Sequence, residues 1–144
     1  METASFIPRE TEETLAQENG LAERLNARWG VDAVRMHNLY QLDFALNRDG
    51  EIKAWAECKC RTHLFGHYPT YMFSLKKMRA CRDYHINSHI KAFLIVEFVD
   101  GDYWLDTADI KDFEVKMGGR TDRNSKADIE PCVFFDIKYF KKFK

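Results

Sequence analysis

Asp43, Glu57 and Lys59 are the residues of this 144-residue chain whose types and spacing point to chemistry. Thirteen residues separate Asp43 from Glu57, and Glu57-Cys58-Lys59 lies near the end of a strand-like run. Two carboxylates held close together repel each other, which raises a pKa unless a cation lies between them. Magnesium suits such a pair: it takes oxygen ligands in an octahedron, commonly one or two carboxylates with waters and substrate phosphate oxygens. The peptide carbonyl of Cys58 would add a third oxygen. Lys59 would then orient or help to deprotonate the attacking water and offset the charge that builds on a phosphorane-like transition state. The chemistry these residues describe is metal-assisted hydrolysis of a phosphodiester, with Mg2+ or Mn2+ as the cofactor.

The elements around them must supply the geometry. In 40–46, Leu42, Phe44 and Leu46 alternate with Gln41, Asp43 and Ala45, which predicts a strand with Asp43 opposite the apolar face. Asn47-Arg48-Asp49-Gly50 predicts a hairpin turn, and 51–60 the antiparallel return strand. On that strand Ala54, Ala56, Cys58 and Cys60 share one face, and Trp55, Glu57 and Lys59 the other. Residues 11–29 read as an amphipathic helix with Leu15, Leu21, Ala22, Leu25 and Trp29 in its stripe, Gly20 interrupting and Gly30 ending it. Residues 31–37 read as a first strand. Residues 74–84 read as a second helix, with Ser74 as its cap and Leu75, Met78, Ala80 and Cys81 facing inward. Residues 92–98 form a continuous apolar strand of the kind buried on both faces, and Asp100-Gly101 turns it into Tyr103-Trp104-Leu105. Residues 117–129 read as a polar loop able to serve as a flap, 132–137 as a short strand, and 138–144 as a basic, aromatic end.

An acidic residue, a variable gap, and Glu-x-Lys on the next strand resembles the PD-(D/E)XK nuclease superfamily, here with Leu42 where proline often stands. The resemblance spans roughly 11–106 and implies one α/β domain over 1–144 with a restriction-endonuclease-like core. Its expected order is α-β-β-β-α-β-β, with a central mixed sheet flanked by helices. It further implies an acidic residue on the first helix, for which Glu18 fits better than Glu13 or Glu23, completing the metal shell. A basic residue on the second helix is implied as well, Lys76 or Lys77, with Arg61, Tyr68, Tyr71 and Ser74 assisting at the nucleic acid. The activity implied is DNA cleavage by a small endonuclease that selects structure, of the Holliday-junction-resolvase or recombination and replication type, acting on DNA (RNA being a compatible alternative) and compatible with a homodimer.

Other readings of the same residues remain open. Asp43, Glu57 and Lys59 also suit a solvated sheet face with cross-strand ion pairs, each worth roughly 0.2 to 1 kcal/mol. Cys58, Cys60, His63, His67, Cys81 and His85 are soft ligands, which admits a zinc-stabilised adaptor, although in-strand cysteines two apart favour packed thiols. A third reading is a non-catalytic nucleic-acid-binding or assembly module on this fold.

The net charge of −1 makes no global case for nucleic acid, but the charge is segregated. Residues 58–91 hold seven Lys/Arg against one Asp/Glu, interleaved with Tyr68, Tyr71 and Tyr84, as a phosphate-tracking surface would. Residues 92–115 reverse this, with one against seven. Four cysteines without disulfide-scaffold spacing, no secretory pattern at the start and no long apolar run predict a cytoplasmic, reducing location without a membrane partner.

Overall fold

The computed structural model describes residues 12–119 and 129–143. In chain order its main elements are α1 (Glu12–Trp29), β1 (Asp32–Arg35), β2 (Phe44–Arg48), β3 (Glu51–Cys60), β4 (Thr70–Ser74), α2 (Leu75–Ser88), β5 (Lys91–Phe98), β6 (Gly101–Asp106), β7 (Glu114–Gly119), β8 (Ile129–Asp136) and β9 (Lys141–Lys142). Helix α1 opens with Glu12 and Glu13, where carboxylates meet the positive end of the helix dipole. It stops at Gly30, which takes φ +62° and donates its N–H to the Asn26 carbonyl at 3.0 Å, a left-handed turn that residues with a Cβ resist. Helical spacing turns Glu18, Leu21, Ala22 and Leu25 to its buried side.

Six strands make a mixed sheet in the order β1-β2-β3-β5-β6-β9. Only β3 and β5 run parallel, so the chain must cross over between them, and β4 with α2 forms that crossover. Period-two alternation gives each central strand two buried faces. On one, Phe44, Leu46, Ala54, Ala56, Cys58 and Ile95 pack against Leu21, Ala22 and Leu25 of α1. On the other, Leu94, Val96, Phe98 and Leu105 pack against Met78, Ala80 and Cys81 of α2 and against Tyr71, Phe73, Val133 and Phe135. Fully burying one such Leu or Phe side chain contributes about 1.5 to 3 kcal/mol, so this two-sided packing is what holds β3 in place between the layers.

The expected order lacks three features of the fold. β4, β8 and β7 form a second, three-stranded antiparallel sheet over the α2 side. β4 does carry a strand pattern, since Tyr71 and Phe73 point inward while Thr70 and Met72 point out, but five residues between a loop and a helix leave a short signal. β7 is largely exposed: Val115 and Met117 alternate with Glu114 and Lys116, but two apolar residues make too short a pattern, so pairing with β8 makes it a strand, and it takes in Met117, Gly118 and Gly119, which the sequence assigns to a loop. The rest of that expected flap, 120–128, lies outside the described residues. Residues 141–142 add a short edge strand beside β6.

Ser74 precedes α2 but does not cap it through its side chain. Its hydroxyl instead donates to Glu130 Oε1 at 2.6 Å, because β8 brings that carboxylate alongside. α2 also runs four residues past Tyr84, ending at His89 with φ +62°. No helix among the described residues is long and apolar enough to cross a membrane.

Candidate active site

The β2–β3 hairpin sets the register on which the site depends. Asp49 and Gly50 both take positive φ, +54° and +78°, the tight two-residue turn expected of Asp-Gly. Pairing then runs from Arg48 opposite Glu51, through an irregularity after Leu46, to Phe44 opposite Ala56. The ladder ends there, and the side chains of Asp43 and Glu57 come together in one cleft. Asp43 itself lies just before β2 rather than within it, yet it remains stitched to the sheet: its N–H donates to the Ala56 carbonyl at 3.1 Å and its carbonyl accepts from Met36 at 2.9 Å. Its Oδ2 accepts the Cys58 N–H at 2.9 Å. Because the chain bends here, Leu42 packs on the α2 side while Phe44 and Leu46 pack on the α1 side, contrary to the single apolar face that alternation predicts.

Glu57 is the unusual member. It is 1% exposed, and its Oε1 has no hydrogen-bond partner. The Lys59 ammonium stands 3.5 Å from Oε2 and the Lys77 ammonium 3.5 Å from Oε1, ion-pair distances without hydrogen bonds. Burial, followed by the negative charge of Asp43, pushes the Glu57 carboxyl up to about 8, against the opposing pull of Lys59 and Lys77. For Lys59, burial disfavours the charged form, but Glu57, Tyr71 and Asp43 more than offset it, leaving the pKa above its ordinary value. Lys59 is therefore an ammonium, suited to binding negative charge rather than to taking a proton.

These groups line a cleft of about 660 Å³ together with Ser74, Lys76 and Lys77. Lys77 also donates to the Gln41 carbonyl, tying the loop before Asp43 to α2. A buried carboxylate oxygen that makes no hydrogen bond among the described residues, beside a second carboxylate, is a donor set that a hard divalent cation satisfies. Within a strand a residue's N–H and carbonyl point to the same side, so the Cys58 carbonyl faces the side on which Asp43 receives the Cys58 N–H, as a third oxygen requires.

Other expected site residues end up elsewhere. Glu18 is 4% exposed, lies 3.4 Å from Arg35 in an ion pair and does not line the cleft, yet it is near enough that its charge pushes the Glu57 carboxyl and the Cys58 thiol upward. Tyr71 is 3% exposed with Arg61 over its ring at 5.2 Å, a core wall rather than an open contact, since β4 turns it inward. Arg61 lines a neighbouring hollow instead of the cleft. Lys76, Lys77 and Ser74 do line it.

The zinc reading fails on topology. Cys58 belongs to the α1-side cluster and Cys81 to the α2-side cluster, on opposite faces of the sheet. Burial pushes both thiols up, Cys81 to about 12. Among the described residues no three His, Cys, Asp or Glu side chains gather as metal ligands. The cleft also uses residues that the sequence did not single out. Glu130 arrives from β8, too distant in the chain for any local signal. Leu39 and Tyr40, exposed at 87% and 56%, line the mouth; large apolar residues in a polar loop were the available clue.

A family model described as phage putative PDDEXK endonuclease matches residues 7–143. The chain belongs to this family. Among solved structures, the Holliday junction resolvase Hjc of the archaeal hyperthermophile Archaeoglobus fulgidus matches with a TM-score of 0.56 at 15% identity, over 87% of this chain and 84% of that one. At that identity the likeness is one of fold, and it shows the restriction-endonuclease-like core that the residue pattern implies. No curated protein matches the chain in sequence.

Proposed function

We propose that this PDDEXK-family nuclease is a DNA endonuclease dependent on Mg2+ or Mn2+, with Asp43, Glu57 and the Cys58 carbonyl holding the metal. The observation that carries this is the buried Glu57 carboxyl beside Asp43, whose Oε1 has the Lys77 ammonium at 3.5 Å but makes no hydrogen bond among the described residues. A purely structural sheet face does not account for it, because an unsatisfied buried carboxyl costs stability and persists where function needs it. Bound there, a divalent ion supplies a Lewis acid and a more acidic water.

The protein's own groups do the remaining tasks. Asp43 is oriented by the Cys58 N–H and Glu57 by its place in β3, so neither carboxylate has to reorganise on loading. Lys59, an ammonium on the cleft wall, binds a non-bridging phosphate oxygen and stabilises charge as the P–O bond breaks. Lys76, exposed at the start of α2, meets the flanking phosphates, and Lys77 holds the cleft-mouth loop. The open cleft and the fold shared with a Holliday junction resolvase support selection by DNA structure, as at branched DNA or junctions, with a homodimer acting on two strands.

The test is cleavage of linear, single-stranded and branched DNA by the purified full-length protein with Mg2+, Mn2+ or EDTA. Wild type cuts only with metal. Asp43→Asn, Glu57→Gln and Lys59→Met lose cutting while keeping a cooperative unfolding transition. Undiminished metal-dependent cutting by Glu57→Gln overturns the assignment, and DNA binding without cutting by wild type returns the protein to the binding-module reading.

A further inference from the structure

Three strands leave the cleft and run into a second hollow of about 430 Å³. On β3 the alternation that places Glu57 and Lys59 in the cleft continues to Arg61, whose N–H extends the ladder to the Glu97 carbonyl at 2.8 Å. On β4, Ser74 lines the cleft while Met72 and Thr70 line the hollow. On β8, Glu130 and Phe134 divide in the same way. Two residues along a strand span about 6.6 Å, the scale of one nucleotide step.

The hollow is built for a flat, polar-edged group. Tyr68, 56% exposed, stands edge-on to His63 at 5.0 Å and to His67 at 4.6 Å. Arg61 lies over the Tyr71 ring at its inner end, and no carboxylate lines it among the described residues. The loop that carries these rings is fastened. The Phe65 N–H donates to Asp100 Oδ1 at 2.8 Å, and the Phe65 ring stacks on Tyr103 at 3.9 Å. Val99 donates to the His63 carbonyl at 3.1 Å, and Gly66, at φ +80°, makes the turn that brings His67 and Tyr68 round. Rings held this way stack on a ligand without first being ordered.

We propose that this hollow receives the unpaired base of the nucleotide next to the scissile phosphate. A base stacked in a duplex cannot enter it, so the enzyme favours single-stranded DNA, flaps and branch points over continuous duplex. Base stacking on aromatic side chains supports this occupant, and a guanidinium beside the rings suits both the base edge and its phosphate. The proposal rests on the assignment of the cleft above, because the adjoining phosphate gives the hollow its place on the strand.

The test uses the full-length Glu57→Gln protein, with and without Tyr68→Ala, and DNA carrying single 2-aminopurine substitutions in matched single-stranded and duplex forms. Binding of single-stranded DNA should change the fluorescence of 2-aminopurine at one position, and Tyr68→Ala should abolish that change. It should also weaken single-strand binding by about tenfold or more relative to duplex, with Tyr68→Phe restoring both. In cleavage, Tyr68→Ala lowers the single-strand-to-duplex rate ratio by a similar factor. An unchanged affinity ratio and unchanged fluorescence in Tyr68→Ala overturn the proposal, including the case in which another ligand or protein occupies the hollow. If the fluorescence behaves as stated but Glu57→Gln cuts like wild type, the base pocket stands and the cleft assignment falls. If cutting needs Glu57 but Tyr68→Ala keeps the ratios, the base pocket alone falls.

Discussion

The raised pKa of Glu57 makes stability and metal binding respond to pH in opposite ways. Unfolded, its carboxyl titrates near its ordinary value of 4.5; folded and metal-free, near 8. Between these values the folded state holds a proton that the unfolded state has lost, so stability is fully present below the lower value and is lost as pH rises through the upper one. The slope is about 1.4 kcal/mol per pH unit, and the whole loss is on the order of 3 to 5 kcal/mol. Glu57→Gln replaces the carboxyl with a neutral isostere and removes the slope. Denaturant unfolding in EDTA at pH 6, 7, 8 and 9 reads this directly. Wild type should weaken steadily from pH 6 to 8 and flatten by pH 9, while Glu57→Gln stays level and is the more stable protein at pH 8. A divalent cation competes with the same proton, so its affinity for wild type should rise about tenfold per pH unit up to about pH 8 and proton release should accompany binding. A wild-type stability that does not fall between pH 6 and 8 in EDTA, or an equal slope in Glu57→Gln, refutes the reasoning.

Further outcomes follow from single contacts. Lys77→Met removes a charge that pulls the Glu57 pKa down and the donor that holds the Gln41 carbonyl; the pH midpoint for metal binding, followed by calorimetry, should move upward. Lys59→Met should cut roughly a hundredfold to a thousandfold more slowly, while DNA affinity in a gel-shift assay changes far less. Asp102→Ala strips the partner of Arg24 and Arg28, bonded at 2.7 and 3.0 Å, and should cost about 1 to 3 kcal/mol by denaturant unfolding, discounted because both arginines are partly exposed. The wild-type protein, dialysed and analysed for elements, should retain no stoichiometric zinc.

Much of the site was legible because it rests on local rules. A period of two places Glu57 and Lys59 on one face of β3 and Cys58 on the other. Asp-Gly fixes the tight turn, but the register beyond it was not legible, because a one-residue irregularity between Leu46 and Asn47 shifts the pairing before it reaches Phe44 opposite Ala56. The helical phase of Glu18 predicts its burial but not its ion pair with Arg35, which β1 brings alongside. The burial of Tyr71 was not legible, because it depends on β8 pairing with β4, a contact between segments about sixty residues apart in the chain.

The sequence alone thus determined the triad, its strands and the family pattern, since each follows from neighbours a few residues away. Only the tertiary structure decided the burial of Glu57, the Oε1 that makes no hydrogen bond among the described residues, and the approach of Lys77 and Glu130. Those depend on α2 and the second sheet closing over β3, and the energy of a buried charge is set by what surrounds it in space rather than by what precedes it in the chain.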